Sequence, residues 1–146
     1  MSENITVQYE AQLGELKRRL AIDTSKLTEA LMEQPTLTLA AREMVVDCTA
    51  LRDKTKHDLE HYSAVHDAQL REEALNAGEK LTEARVTSMV STDPGVIGWK
   101  HALIDANKLV GKAQAIADSY FQRSWMLREL AQIHGPFERD RFGNAS

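Results

Sequence analysis

The chain has 146 residues, of which 42% are apolar and 27% charged, and its formal net charge is −4. This balance predicts one folded domain rather than a disordered chain, and the negative charge argues against strong binding of a polyanion by a single copy. We expect a cytoplasmic protein without membrane contact, because no apolar stretch reaches membrane-spanning length, no signal-peptide pattern opens the chain, and the lone Cys48 cannot form an internal disulfide.

The first part of the chain predicts two short helices. The first is expected to end near Ile22 and presents one apolar face made of Leu13, Leu16 and Leu20. Asp23 is a suitable N-cap for the second, which carries Leu27, Leu31 and Met32. We expect Pro35 to end this second helix, because proline lacks the amide hydrogen that a helix interior uses.

A long helix is predicted to follow. Its apolar positions recur every three or four residues, with one slip before the last two: Leu37, Ala41, Met44, Cys48, Leu51, Thr55, Leu59 and Tyr62. The pattern fades after Val65, so residues 67–79 are expected to form a mobile loop or a frayed helix end, with a stop near Gly78. Thr82 then caps a short helix that carries Val86, Met89 and Val90.

The last predicted helix is the longest continuous pattern in the chain. Asp93 and Pro94 give a start signal, and Gly135 with Pro136 gives a stop about forty residues later, so the rod is roughly 60 Å long. Such a rod is too long for the core of one small domain, and we expect its heptad-spaced seam to pack against other subunits. The predicted oligomerisation residues are Val96, Trp99, Leu103, Ala106, Leu109, Val110, Ala113, Ile116, Tyr120 and Leu127.

These elements predict an all-α fold with two long helices and two or three short ones. No strand or hairpin pattern occurs in the sequence. We expect residues 1–136 to form a single helical domain and residues 137–146 to form a flexible tail.

Enzyme motifs are scarce, and we predict no catalytic residues, no metal site and no cofactor. The stretch from His57 to His61 matches the H-x-x-E-H pattern of one metalloprotease group, since histidines four apart on a helix can share a metal ion. A third ligand and a substrate cleft are not evident, and a solvated polar face accounts for the same residues. The chain is therefore expected not to be an enzyme.

A basic segment on the first long helix is the candidate nucleic-acid site. It contains Arg52, Lys54, Lys56 and His57, with Tyr62 as a surface on which an unpaired base can stack. Interleaved acids weaken the cluster, and an ordinary charged, solvated helix face is the alternative interpretation. A second basic cluster at residues 17–19 is similarly ambiguous.

Several short matches, in the same order and with similar spacing, resemble the phage UvsY-type recombination mediators over about residues 15–125. They are Glu15-Leu16-Lys17, Ile22-Asp23, Lys26-Leu27, Leu59-Glu60-His61-Tyr62-Ser63, Lys80, Glu83, Asp93 and Val96. The resemblance implies a small helical protein that binds single-stranded DNA and assembles into rings. It also implies that the protein helps load a RecA-like recombinase onto DNA covered by single-strand-binding protein, in recombination and repair in the host cytoplasm.

The same resemblance assigns part of the basic segment. Lys56 matches the first member of the family's DNA-contacting basic pair, whereas Asp58 stands where the second basic residue belongs. Either Arg52 or Lys54 substitutes for that residue, or DNA binding is weaker or differently placed. The competing hypothesis is a helical oligomeric structural or scaffolding phage protein that does not bind DNA.

Overall fold

The computed structural model describes the backbone of residues 2–143 and the side chains of residues 4–134. Within this part the chain forms four α-helices and no strand. The elements are α1 (Ser2–Arg18), a short 3-10 helix (Thr24–Lys26), α2 (Leu27–Ala77), α3 (Glu83–Ser91) and α4 (Pro94–Gly143). The prediction of an all-α fold with two long helices is confirmed.

Three predicted helix starts are confirmed by their capping bonds. Asp23 Oδ1 accepts from the backbone nitrogen of Ser25 at 2.9 Å and caps the 3-10 helix that leads into α2. Thr82 Oγ1 caps α3 through the nitrogen of Arg85 at 3.2 Å. Asp93 Oδ2 accepts from the nitrogen of Val96 at 3.1 Å at the start of α4. Each cap satisfies an amide that has no partner within its own helix.

The predicted helix end at Pro35 is wrong, because α2 runs through this residue without a break. A proline inside a helix removes one backbone hydrogen bond and costs about 3 kcal/mol. Contacts on both sides offset this cost. Before the proline, Leu27 and Ala30 pack against Leu127, and after it Leu37 is buried. Tertiary packing therefore overrides the local signal.

Of the two alternatives expected for residues 67–79, a mobile loop or a frayed helix end, the loop is wrong, since α2 stays helical to Ala77. Ion pairs take the place of apolar contacts here. Arg71 bonds Asp67 at 2.6 Å within the helix and Glu83 at 2.7 Å on α3. The bond to Arg71 holds the pKa of the Glu83 carboxyl below its ordinary value. Gly78 then ends the helix with a φ of 69°, as predicted from the sequence.

Helix α4 continues beyond the end predicted at Gly135 and Pro136, and its backbone is helical to Gly143. Glycine and proline lower helix stability, but both accept right-handed helical dihedral angles, so they do not force an end. The side chains of residues 137–146, which were predicted to form a tail, lie outside those described.

The helices divide into two compact units, and both contribute to the range 1–136 that was predicted as one domain. Unit 1 comprises Met1–Asp47 and Leu109–Ser146, and unit 2 comprises Cys48–Lys108. The buried apolar residues of unit 1 are Leu13, Leu16, Leu27, Ala30, Leu37, Ala41, Met44, Leu109, Ala113, Ile116, Tyr120 and Leu127. Those of unit 2 are Cys48, Ala74, Val86, Val96 and Ala106.

Unit 1 contains a buried polar network that joins α1, α2 and α4. Arg123 on α4 donates from Nε to the carbonyl of Leu20 at 3.1 Å and from Nη1 to the Oε1 of Gln34. The amide nitrogen of Gln34 donates in turn to the carbonyl of Tyr120 at 2.8 Å. The Tyr120 hydroxyl donates to the carbonyl of Leu16 at 2.6 Å. Side chains of α4 thus satisfy the Leu16 carbonyl in the last turn of α1 and the Leu20 carbonyl in the turn that follows.

We predict that Tyr120→Phe lowers the free energy of unfolding by about 1–3 kcal/mol, because it leaves the buried Leu16 carbonyl without its donor. Urea denaturation measures the change. Ser119→Ala is the matched control, since the Ser119 hydroxyl bonds only its own helix, at the carbonyl of Ala115. Equal stability of Tyr120→Phe and the original chain would contradict the structural role of the network.

Candidate nucleic-acid interface

The predicted basic segment lies on an uninterrupted part of α2 in unit 2. Lys54, Lys56 and His57 are exposed, and Arg52 is half-buried. The Arg52 guanidinium forms an ion pair with Asp53, in which Nη2 and Oδ1 are 3.0 Å apart. The side chains of Lys54, Lys56 and His57 are therefore accessible to a ligand, whereas Arg52 is partly occupied by its ion pair with Asp53.

Helix geometry separates the basic residues into two groups. Arg52 and Lys56 are four residues apart and share one side of α2. Lys54 is two residues from each, so it projects about 200° around the helix from Lys56. Lys54 and His57 are three residues apart and share the other side. The segment does not form one continuous basic ridge, and the two arginine or lysine side chains that can contact the same stretch of backbone phosphates are Arg52 and Lys56.

Asp58, the acid at the position where the family pattern has a basic residue, lies on the side of Lys54. It follows Lys54 by four residues and Lys56 by two, so its half-buried carboxylate projects about 200° around the helix from Lys56. Repulsion of phosphate by Asp58 therefore acts mainly on the Lys54 side. Of the two substitutes considered from the sequence, Arg52 is the one that shares a side with Lys56.

Tyr62 is bound into the start of α4 rather than standing free. Its hydroxyl hydrogen-bonds the Asp93 carboxylate, and its ring stacks on His66 with the centroids 6.4 Å apart. His66 Nε2 lies 3.4 Å from Asp93 Oδ1. Tyr62 is 37% exposed, so part of its ring remains accessible, but stacking on a base competes with these contacts.

The charges of this cluster follow from its hydrogen bonds. The backbone nitrogen of Val96, with a further contribution from the Tyr62 hydroxyl, lowers the pKa of the Asp93 carboxyl. The bond to Asp93 raises the pKa of the Tyr62 phenol. At neutral pH the cluster therefore holds an ionised carboxylate at the N-terminus of α4, where the helix dipole favours negative charge.

His57 and His61 are both exposed on α2. Within the part of the chain that the structure describes, no group of three or more histidine, cysteine or acidic side chains is placed to hold a metal ion. The two histidines thus lie in a solvated polar surface, without a third ligand among the described residues.

The ten predicted oligomerisation residues are largely covered by the chain itself. The buried ones are Val96, Ala106, Leu109, Ala113, Ile116, Tyr120 and Leu127. The half-buried ones are Trp99, Leu103 and Val110. The seam of α4 therefore forms much of the intrachain core, and a second copy would meet other side chains first.

Exposed apolar residues in unit 1 were missed as an interaction surface by the sequence analysis. Met32, Leu39 and Val46 recur every seven residues on α2 and are exposed to 76%, 59% and 67%. We call these three residues the α2 stripe. Their heptad spacing is the signal in the sequence, but a helix end at Pro35 would separate Met32 from Leu39 and Val46.

A second missed residue is Arg123, which is only 4% exposed. Arg123 lies on the same side of α4 as three buried residues, Ile116, Tyr120 and Leu127. It follows Tyr120 by three residues and precedes Leu127 by four. A cation at a position that the pattern assigns to the core signals a specific buried partner. The seam predicted from the sequence runs through Tyr120, Ser124 and Leu127 and so does not include Arg123.

Comparison with protein-family models, with curated protein sequences and with solved structures gives no match for this chain. None of the described helices combines the length and the apolar character that crossing a membrane requires.

Gly95 provides a test of the Tyr62 cluster, because a Cβ at this position would overlap the Tyr62 hydroxyl. We predict that Gly95→Ala displaces the ring from Asp93 and destabilises the protein by about 1–3 kcal/mol. The pKa of Tyr62 should fall towards its ordinary value, since its bond to Asp93 raises it. Urea denaturation and an NMR titration of the tyrosine ring carbons measure the two effects.

Gly98→Ala is the control, because no heavy atom of the described residues lies within 4 Å of a Cβ there. It should stabilise the helix by roughly 0.5–1 kcal/mol. If both variants behave alike, Tyr62 does not pack against Gly95 in solution.

Proposed function

We propose that this chain is a non-enzymatic helical protein that binds single-stranded DNA and helps load a phage RecA-like recombinase in homologous recombination and repair. Two observations support the proposal. The first is the resemblance to UvsY-type mediators, in which Lys56 matches a DNA-contacting position. The second, which carries the proposal, is that Arg52 and Lys56 share one side of α2 while Asp58 projects away from it.

The proposed mechanism is binding and exchange, with no covalent chemistry. Arg52 and Lys56 contact phosphates of the strand, and release of the strand's counterions provides the binding free energy. The coating single-strand-binding protein is displaced as the strand passes to the recombinase. Contacts between the recombinase and this protein favour that direction of transfer.

Self-association is part of the proposal, because one copy binds weakly. Each chain carries a net charge of −4, and two basic residues per copy give little attraction for a polyanion. Several copies that engage one strand raise the overall affinity without any new contact. A homo-oligomer, in the form of a ring as in the family, would present Arg52 and Lys56 repeatedly along the strand.

The DNA-binding side is tested by two single charge reversals on the same helix. We predict that Lys56→Glu weakens binding of a fluorescein-labelled oligothymidylate by roughly tenfold, because it removes one phosphate contact and adds repulsion. Lys54→Glu should have a small effect, since Lys54 projects from the other side. Fluorescence anisotropy at several salt concentrations measures both affinities and their salt dependence.

The proposed DNA function fails if the original chain does not associate with the oligonucleotide even at low ionic strength. If Lys54→Glu weakens binding as much as Lys56→Glu, the DNA contacts are not confined to the Arg52 and Lys56 side. Circular dichroism of both variants controls for loss of helix.

A second candidate function is a helical scaffolding or assembly protein that does not bind DNA, and the α2 stripe favours it. The three apolar side chains are spaced for packing along another helix and stand exposed in unit 1. Exposed aromatic side chains on α4 add apolar surface: Phe121 lies edge-on to Trp125, with 6.4 Å between ring centroids.

Assembly is tested by the same substitution at two exposed leucines of α2. We predict that Leu39→Asp, within the α2 stripe, lowers the mass measured by light scattering, because a carboxylate at an apolar contact between helices loses its hydration. Leu75→Asp is the control, since Leu75 is 79% exposed and lies outside the stripe. Both variants should keep the helical content of the original chain.

An unchanged mass for Leu39→Asp would exclude the α2 stripe as the assembly surface. Val110→Asp and Ile116→Asp, the obvious changes from the sequence, are poorer tests. Ile116 is buried and Val110 half-buried within the chain, so a carboxylate there unfolds the protein whether or not it assembles.

A further inference from the structure

A cleft in unit 1 brings together four cationic side chains from three helical segments. It has a volume of about 370 Å³ and lies where the end of α1 and the turn into α2 meet α4. The cations are Arg18, Arg19, Lys26 and Arg123, and the acids are Asp23, Glu29 and Glu33. Although the whole chain is negatively charged, this cleft has more cations than carboxylates.

Arg123 presents one edge of its guanidinium to this cleft. Its Nε and Nη1 are committed to Leu20 and Gln34. Nη2 has no acceptor among the described residues. Every fully buried side-chain nitrogen in this part of the chain does have a hydrogen-bond partner, so Nη2 is not fully buried. Nη2 therefore keeps access to solvent, and since Arg123 lines the cleft, we infer that it reaches solvent there.

The charge of Arg123 is not balanced by a protein carboxylate. Both of its acceptors are neutral oxygens, and none of the ion pairs within the described residues includes it. The Leu20 carbonyl, in the turn after α1, carries only the partial negative charge of a peptide oxygen. This offsets only part of the cost of burying a cation, so an anion in the cleft is electrostatically favoured.

Two of the three acids in the cleft already have partners. Asp23 accepts from both the backbone nitrogen and the hydroxyl of Ser25, and Glu33 pairs with Arg19 at 3.2 Å. Glu29 and Lys26 have no ion-pair partner within the described part of the chain. The donors to Asp23 are neutral, so Asp23 keeps its negative charge and attracts Lys26, while Arg18 is paired with Glu15. Arg123 is the buried cation of the cleft, and no carboxylate of the described residues pairs with it.

We propose that this cleft binds a phosphate group. The Nη2 of Arg123 donates to one phosphate oxygen from a guanidinium that the protein already holds in place, and such charge-assisted bonds are about twice as strong as neutral ones. Lys26 adds a second positive charge at the cleft edge. The volume exceeds that of one phosphate, so a phosphate ester fits as well as the free anion.

The site is separate from Arg52 and Lys56, which belong to unit 2. It does not depend on the proposed binding of single-stranded DNA. Free phosphate and the backbone phosphate of a nucleic acid share the chemistry that the cleft recognises, and the experiment distinguishes them.

The test follows the side-chain Nε–Hε signals of the arginines by NMR while inorganic phosphate, and separately an oligothymidylate, is added at constant ionic strength, with chloride as the reference. We expect a saturable shift of the Arg123 signal. Lys26→Gln should weaken phosphate binding about threefold, because it removes one exposed charge. Glu29→Gln should strengthen it, since it removes an acid from the cleft.

Arg42→Gln is the matched control. Arg42 is an exposed cation of α2 in unit 1 that does not line the cleft, and the variant loses the same charge as Lys26→Gln. Equal weakening in these two variants would mean that only net charge matters, and it would overturn the site.

Absence of a saturable Arg123 shift with either ligand would also overturn it. A shift with inorganic phosphate and none with the oligonucleotide supports a site for free phosphate groups, even if the proposed DNA function fails. A saturable shift with the oligonucleotide that Lys26→Gln weakens and Lys56→Glu leaves unchanged assigns the cleft to a nucleic-acid backbone.

Discussion

The buried guanidinium of Arg123 is the interaction on which unit 1 depends. It bonds the chain just beyond α1 and the Gln34 side chain of α2 from a position on α4. Apolar seams with heptad spacing can slide by one repeat and still bury similar area. A buried cation removes that freedom, because any other register leaves it without acceptors. Arg123 and Gln34 thus define how the three helices align.

The same interaction explains why α2 passes through a proline. Gln34, immediately before Pro35, is 8% exposed and bonds Arg123 and the Tyr120 carbonyl. A break at Pro35 would turn this amide out of the core and leave the guanidinium with one acceptor fewer. The energy of that loss, added to the packing of Leu27 and Leu37, exceeds the local preference of proline for a helix end.

The helix caps were predicted correctly from the sequence, whereas the helix end at Pro35 and the loop over residues 67–79 were not, because distant contacts decide them. The caps at Asp23, Thr82 and Asp93 act within three residues, so the sequence contains the whole interaction. Residues 67–79 lack an apolar face, and their helix is supported by Arg71, whose partner Glu83 lies twelve residues away on α3. For the candidate site, the shared side of Arg52 and Lys56 follows from the helix predicted over residues 37–62. The contacts of Tyr62 with His66 and Asp93 do not, because Asp93 lies far along the chain.

The two anion-contacting regions that we propose differ in how their arginines are held, and this difference bears on what each can do. Arg52 is half-buried and paired with Asp53, so a phosphate must compete with a neighbouring carboxylate, which favours weak and readily exchanged contacts. Arg123 is fixed by neutral acceptors, so a phosphate meets an uncompensated charge in a defined orientation. Weak contacts suit a surface that must release a strand to another protein, whereas a fixed guanidinium suits a site that holds one phosphate group. A protein of net charge −4 has to localise its positive potential in this way if it binds phosphate at all.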